Sequence, residues 1–115
     1  MNEFQEQLRT KMDNYVHLVY EVTRNFPKEE LFGVTSQLRR AALSIVLNYI
    51  EGFARQKKAV KQNFWEISYG SLKESKYLLH FSLVEKYLSQ KDYNRAIKLA
   101  EEIGAMLWHS LQSLK

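Results

Sequence analysis

Four cations stand within seven positions, at Arg55, Lys57, Lys58 and Lys61. Lys and Arg grouped in this way neutralise phosphates and release counterions, without reading base sequence. Arg39 and Arg40 lie about four helical turns upstream of Arg55, and Lys73 and Lys76 carry the charge further along the chain. A solvated charged face produces the same pattern, so this cluster alone is a weak signal. A second constellation is Arg40, Ser44, Asn48, Glu51 and Arg55, whose spacing of 4, 4, 3 and 4 places them in one stripe along a helix. Ser and Asn are poor choices inside a helix, because their side chains compete for backbone hydrogen bonds. Three readings stay open. The stripe is the wet face of an amphipathic helix, a structural polar network of Ser44, Asn48 and Glu51 between helices or subunits, or a ligand or catalytic site.

Enzymatic motifs do not emerge. A di-iron bundle needs inward Glu-x-x-His pairs, and the residues three before His17, His80 and His109 are Asn14, Tyr77 and Met106. His17 and Glu21 share a helix face as a metal pair would, but no second pair accompanies them. The four glycines are scattered, so no phosphate-cradling loop forms, and Gly-x-Ser-x-Gly is absent. The absence of Cys excludes disulfides, thiolate metal sites and cysteine nucleophiles. A triad assembled in space needs no local spacing. Still, the expectation is a protein that is not an enzyme, with no catalytic residue, metal ligand or cofactor.

The elements that must hold these residues read as four helices. Phe4, Leu8, Met12, Tyr15, Val19, Val22 and Phe26 step by 4, 4, 3, 4, 3 and 4, predicting a first helix of about 22 residues that Pro27 ends. The second is expected to begin at Thr35 or Ser36, capped by a hydroxyl, and to end around Arg55 after Gly52 and Phe53. Leu38, Ala41, Ala42, Ile45 and Tyr49 form its apolar side. The third runs from Lys58 to Leu88, with Val60, Phe64, Ile67, Ser71, Leu78 and Phe81 on one face and Trp65, Leu72, Leu79 and Leu83 widening it. Gly70 and Ser71 are small enough for another helix to come close. The fourth opens at a capping Ser89 and carries Tyr93, Ile97, Ala100, Gly104, Leu107, Leu111 and Leu114. Stripes near a 3.5-residue repeat, joined by short connections, predict an all-α, up-down-up-down antiparallel four-helix bundle in which residues 1–115 form a single domain.

The chain has 115 residues, a formal charge of +4 and 45% apolar residues. That suffices for one packed core and excludes disorder. The N-terminus lacks a signal-peptide pattern, and the most apolar run, Ala41 to Ile50, is too short for a bilayer, which needs about 20 residues. No membrane association and a cytoplasmic setting are therefore expected. Val16, Leu18, Tyr20, Tyr69, Tyr77, Tyr87 and Trp108 lie off the main stripes. They are either the margins of a wide core or an oligomer interface.

The segment Phe26 to Ile45, from Phe-Pro-Lys-Glu-Glu through Arg-Arg-Ala-Ala-Leu-Ser-Ile, strongly resembles the ribosomal intervening-sequence proteins, also called S23 proteins. Asn48-Tyr49-Ile50-Glu51-Gly52-Phe53-Ala54-Arg55 fits that family's Asn-x-x-Glu-Gly-x-x-Arg pattern. Gly70-Ser71-Leu72 matches its third helix, and Glu101-Glu102-Ile103-Gly104-x-Met106-Leu107 is similar to its last. The sequence departs from the family where Val46 and Leu47 replace a usual Pro-Ser pair, which predicts a softened or absent kink, and where the first helix lacks a Trp-containing start. A related branch, the accessory variability determinant proteins of diversity-generating retroelements, looks like the same bundle, and both branches stay open. The resemblance implies a homopentameric barrel with a positive surface that binds RNA or DNA and a reverse transcriptase. In such a ring the +4 of each copy multiplies to about +20. The candidate nucleic-acid-binding residues are then Arg39, Arg40, Arg55, Lys57, Lys58 and Lys61. A scaffold that binds only protein, through exposed aromatics, is the alternative.

Overall fold

The computed structural model describes residues 1–115 as an all-helical protein without strands. α1 spans Glu3–Thr23, α2 Val34–Phe53, α3 Lys58–Val84 and α4 Gln90–Gln112, and a short 3-10 turn at Lys28–Glu30 lies between α1 and α2. The four form an elongated body of 43 × 24 × 18 Å. Each helix packs on its neighbours in chain order and α4 returns to α1. Ser44 meets Ser71 and Tyr49 meets Trp65 across α2 and α3, while Lys11 meets Glu102 and Glu21 meets Arg95 across α1 and α4.

Helix ends follow local chemistry. Asn2 caps α1 by accepting the Gln5 N–H at 2.8 Å, and the Gln5 side chain accepts the Asn2 N–H at 2.9 Å. This reciprocal box satisfies two otherwise orphaned donors. Ser89 caps α4 as expected, its Oγ accepting the Asp92 N–H at 3.1 Å. The start of α2 differs from expectation. Gly33 occupies the cap position, and neither Thr35 nor Ser36 caps. The Glu30 carboxylate, delivered by the preceding turn, accepts the Val34 N–H at 3.4 Å, which leaves the buried Thr35 hydroxyl without a partner. α1 also stops three residues short of Phe26, which instead reaches the core from the turn, its ring tilted against that of Tyr87 at 5.8 Å.

α3 ends at Val84 rather than Leu88. The Lys86 N–H donates to the Leu83 carbonyl and the Tyr87 N–H to the Ser82 carbonyl, with Lys86 itself at φ 66°. This is a Schellman termination, which usually places Gly at the left-handed position.

The core is a single cluster that includes Leu8, Met12, Tyr15, Leu38, Ile45, Tyr49, Leu72, Leu79, Ile103 and Leu107. The stripes of α1, α2 and α4 point inward largely as expected, although Phe4 is partly exposed. The face of α3 needs correction. Val60 and Ile67 are exposed, and the buried seam is Trp65, Ser68, Leu72, Ser75, Leu79 and Ser82, stepping 3, 4, 3, 4 and 3. Half of this seam is serine. Burying a hydroxyl is tolerable only when it is hydrogen-bonded, and each of these is. Ser68 donates to the Ile45 carbonyl at 2.7 Å, Ser75 to Leu72 at 2.8 Å and Ser82 to Leu78 at 2.7 Å. Ser75 also meets the Tyr15 hydroxyl at 2.9 Å. Small side chains let α2 and α3 approach closely, so this pair forms the tightest seam of the bundle.

Candidate nucleic-acid interface

The basic residues gather at the connection between α2 and α3. α2 runs out at Phe53, and Ala54 to Val60 are all exposed. Lys57 and Lys58 project there with neither an ion-pair nor a hydrogen-bond partner for the side chain. Their neighbours are more constrained. Arg55 pairs with Glu51 one turn back and lies 5.1 Å over the Phe64 ring. Lys61 sits 5.5 Å from the Phe53 ring and 5.7 Å from that of Trp65. An ammonium over an aromatic face is held by the ring quadrupole, so Lys61 is partly anchored where Lys57 and Lys58 are free.

Arg39 and Arg40 are not brought to this turn. They are consecutive, so their side chains diverge by about 100° around the helix. Arg39 faces α1, where its Nε donates to the Thr23 hydroxyl at 2.8 Å and its guanidinium lies 4.6 Å over the Tyr20 ring. Arg40 faces the α3 side and lines a shallow groove with Gln37, Ser44, Ser71 and Glu74. Its Cα is about 22 Å from Arg55 along the helix, at 1.5 Å per residue. The named cations thus form one compact group at the turn and two separate sites higher on α2.

The polar stripe of α2 divides in the same way. Ser44 meets the Ser71 hydroxyl of α3 at 2.7 Å. Asn48 donates to the Ser44 carbonyl at 2.9 Å and to its hydroxyl at 3.0 Å. Ser44 thus ties α2 to α3, and Asn48 holds Ser44 from within α2. Glu51 takes no part and belongs with Arg55. Ser71, Ser68 and Trp65 complete the seam, a pairing with α2 that the sequence signals through their three-residue spacing along α3 and the small size of Ser71. Trp65 donates its indole N–H to the Tyr49 carbonyl at 3.1 Å and lies directly on Gly52, whose missing side chain makes the room. A Cβ there would stand 2.4 Å from the indole nitrogen.

Three tyrosines carry shifted ionisation. Burial drives Tyr15 up to about 12, against a smaller opposing effect of its bond to Ser75. Tyr49 is raised mainly by burial, and its hydroxyl finds no partner. Tyr87 is raised first by its hydrogen bond to Glu30. None lies at the basic turn. His17, His80 and His109 are all exposed, and no three His, Asp or Glu side chains gather as metal ligands would. No helix is long and apolar enough to cross a membrane.

Comparison with known proteins places this arrangement. No curated protein matches the chain. A crystal structure of a protein with unknown function from the S23 ribosomal protein family, from Bacteroides thetaiotaomicron VPI-5482, superposes with a TM-score of 0.86 at 19% identity. The match covers 95% of this chain and 98% of that one. At this identity the likeness is one of fold. The family model of the 23S rRNA-intervening sequence protein matches residues 5–109. The motif around Asn48, Glu51 and Gly52, the α2–α3 seam it builds and this match agree: the chain belongs to the 23S rRNA-intervening sequence protein family.

Proposed function

We propose that this protein is a non-enzymatic, homo-oligomeric helical bundle that binds RNA or DNA through its basic turn. In this reading the up-down-up-down antiparallel bundle closes into a homopentameric barrel in the cytoplasm. It serves there as an accessory to a ribonucleoprotein or a reverse transcriptase, as the retroelement branch of the resemblance implies. The observation that carries the binding reading is the state of Lys57 and Lys58. Both are exposed, adjacent and unpaired at the end of the bundle, whereas Lys11, Lys76 and Arg95 are held by Glu102, Glu101 and Glu21. Phosphate contacts of this kind give affinity without base sequence.

Assembly is supported by the outward face of α2. Leu47 and Ile50 are 60% and 44% exposed, and with Ala54 they make an apolar stripe with spacing 3 and 4 on the outer side of α2. Unpartnered apolar helix faces mark interaction surfaces. The same stripe favours a second reading, a scaffold that engages only protein. Light scattering and nucleic-acid retention separate the two. A mass of roughly 68 kDa, five copies of the 13.7 kDa chain, together with salt-sensitive retention of RNA or DNA, supports the proposal. A 14 kDa particle refutes the barrel, and no retention at low salt refutes the nucleic-acid reading and leaves the scaffold.

A further inference from the structure

We infer that the groove between α3 and α4 is a stacking site for unpaired bases of a single-stranded nucleic acid. The inference rests on the nucleic-acid reading above and extends it from phosphate neutralisation to base contact. Trp108 of α4 is 52% exposed, although a Trp ring left in water forgoes much of its burial energy. Its ring lies 5.8 Å from that of Tyr69 on α3 at an angle of 45°, so the two form an open aromatic corner. Gly104 and Ala105 keep the adjoining wall of the groove low. Lys73 stands above the corner, its ammonium 5.3 Å from the Tyr69 ring, and Lys76 lies one turn on, bonded to Glu101 at 3.0 Å.

Aromatic rings beside lysines along a track are what a protein needs to hold single strands. Every base has a π-face to stack, and the cations follow the backbone. Lys58 of the basic turn lies on the same stripe of α3. Counting around α3, Lys58, Tyr69, Lys73 and Lys76 fall within about 60° of one another. From Lys58 to Lys76 the helix rises about 27 Å, the length of roughly eight stacked nucleotides at 3.4 Å per phosphate. A duplex cannot use the corner, because its bases are already stacked and enclosed. Glu101 lines the groove, so the charge along it is lower than at the turn, and base stacking rather than phosphate contact supplies the affinity at Trp108.

The test uses the full-length protein, a twelve-nucleotide oligoadenylate and a duplex RNA of equal length. Trp65 is buried at 2% exposure, so quenching of tryptophan emission reports Trp108. The single strand should quench it, and Trp108→Ala should weaken single-strand binding about ten-fold or more. Trp108→Phe should restore most of the loss. Duplex affinity should stay within about two-fold in both variants, because the phosphate-neutralising lysines are untouched. Equal single-strand affinity for the wild type and Trp108→Ala overturns the inference while leaving phosphate binding intact. A loss of oligomer mass in Trp108→Ala also overturns it, because the ring would then belong to a protein interface. If the wild type binds neither probe, the underlying nucleic-acid reading fails and takes this site with it.

Discussion

Replacing Gly52 with Ala tests whether the α2–α3 seam is as close as described. Usually a Gly→Ala change inside a helix stabilises by about 1 kcal/mol, because Gly loses more backbone freedom on folding. At Gly52 the new methyl would stand 2.4 Å from the Trp65 indole nitrogen, 2.5 Å from its Cδ1 and 3.4 Å from the Lys61 carbonyl oxygen. Carbon atoms rest at about 3.5–4.0 Å, so the indole must retreat by about 1 Å. It has no free space in which to do so. Tyr49 stacks on it at 5.3 Å, Phe53 lies at 5.3 Å, and the ring is only 2% exposed. Overpacking of this kind costs about 1–3 kcal/mol, and losing the bond to the Tyr49 carbonyl adds about 1 kcal/mol. After the propensity gain, the net loss is about 2 kcal/mol. Urea denaturation at a fixed protomer concentration measures it. Gly70 is the internal control, since a Cβ there meets nothing within 4 Å. Gly70→Ala should stabilise by about 0.5–1 kcal/mol. In a Trp65→Phe background, which removes the nearest atom, the cost of Gly52→Ala should shrink by at least about 0.5 kcal/mol. If Gly52→Ala stabilises as Gly70→Ala does, the reasoning about the seam is wrong.

Three further outcomes follow from other parts of the bundle. Tyr49→Phe removes a buried hydroxyl that has no partner, so it should be neutral or stabilising by up to about 1 kcal/mol, and a destabilisation above that would reveal an unseen hydrogen bond. Lys86→Gly relieves a side chain held at φ 66° and should raise the thermal midpoint by the equivalent of about 0.5–1 kcal/mol; no gain would mean that the left-handed turn carries little strain. Alkali should act through Tyr15, whose folded value of about 12 exceeds the 10.0 of the free side chain. The folded state then holds the proton more tightly. Its contribution is complete below pH 10 and falls by about 1.4 kcal/mol per pH unit as pH rises towards 12. The stability difference between the wild type and Tyr15→Phe should therefore narrow across that window, and a constant difference would contradict the assignment.

Much of the architecture is legible in the sequence because three of the four helices bury large apolar side chains at helical spacing. Leu8 to Val22 and Leu38 to Tyr49 could hardly face elsewhere. α3 is harder, because its seam alternates large residues with serines whose burial depends on hydrogen bonds to carbonyls that no sequence pattern displays. Val60 and Ile67 have the chemistry of core residues and lie outside because Ser68 and Ser75 fit the closer approach. The start of α2 departs from expectation for a related reason. Thr35 is a good capping residue, but Glu30 reaches the same helix end from a turn whose path the sequence does not reveal. At the candidate site, the cluster around Arg55–Lys61 is visible as a run of charge. Which of its members are free, and that Arg39 turns to Tyr20 and Thr23 instead, depends on the angle between consecutive helical residues and on partners from other helices.

The central claim is that the two unpaired lysines at the α2–α3 turn bind phosphate. Its most direct test is the affinity for a short single-stranded RNA, measured across salt concentration for the wild type and for the double variant Lys57→Ala, Lys58→Ala. Both side chains are exposed, so the variant should keep the wild-type fold and mass. The account predicts weaker binding and a salt slope shallower by about 1.4, since each phosphate that a lysine no longer neutralises on a single strand reduces the slope by about 0.7. An unchanged slope with unchanged affinity would contradict it.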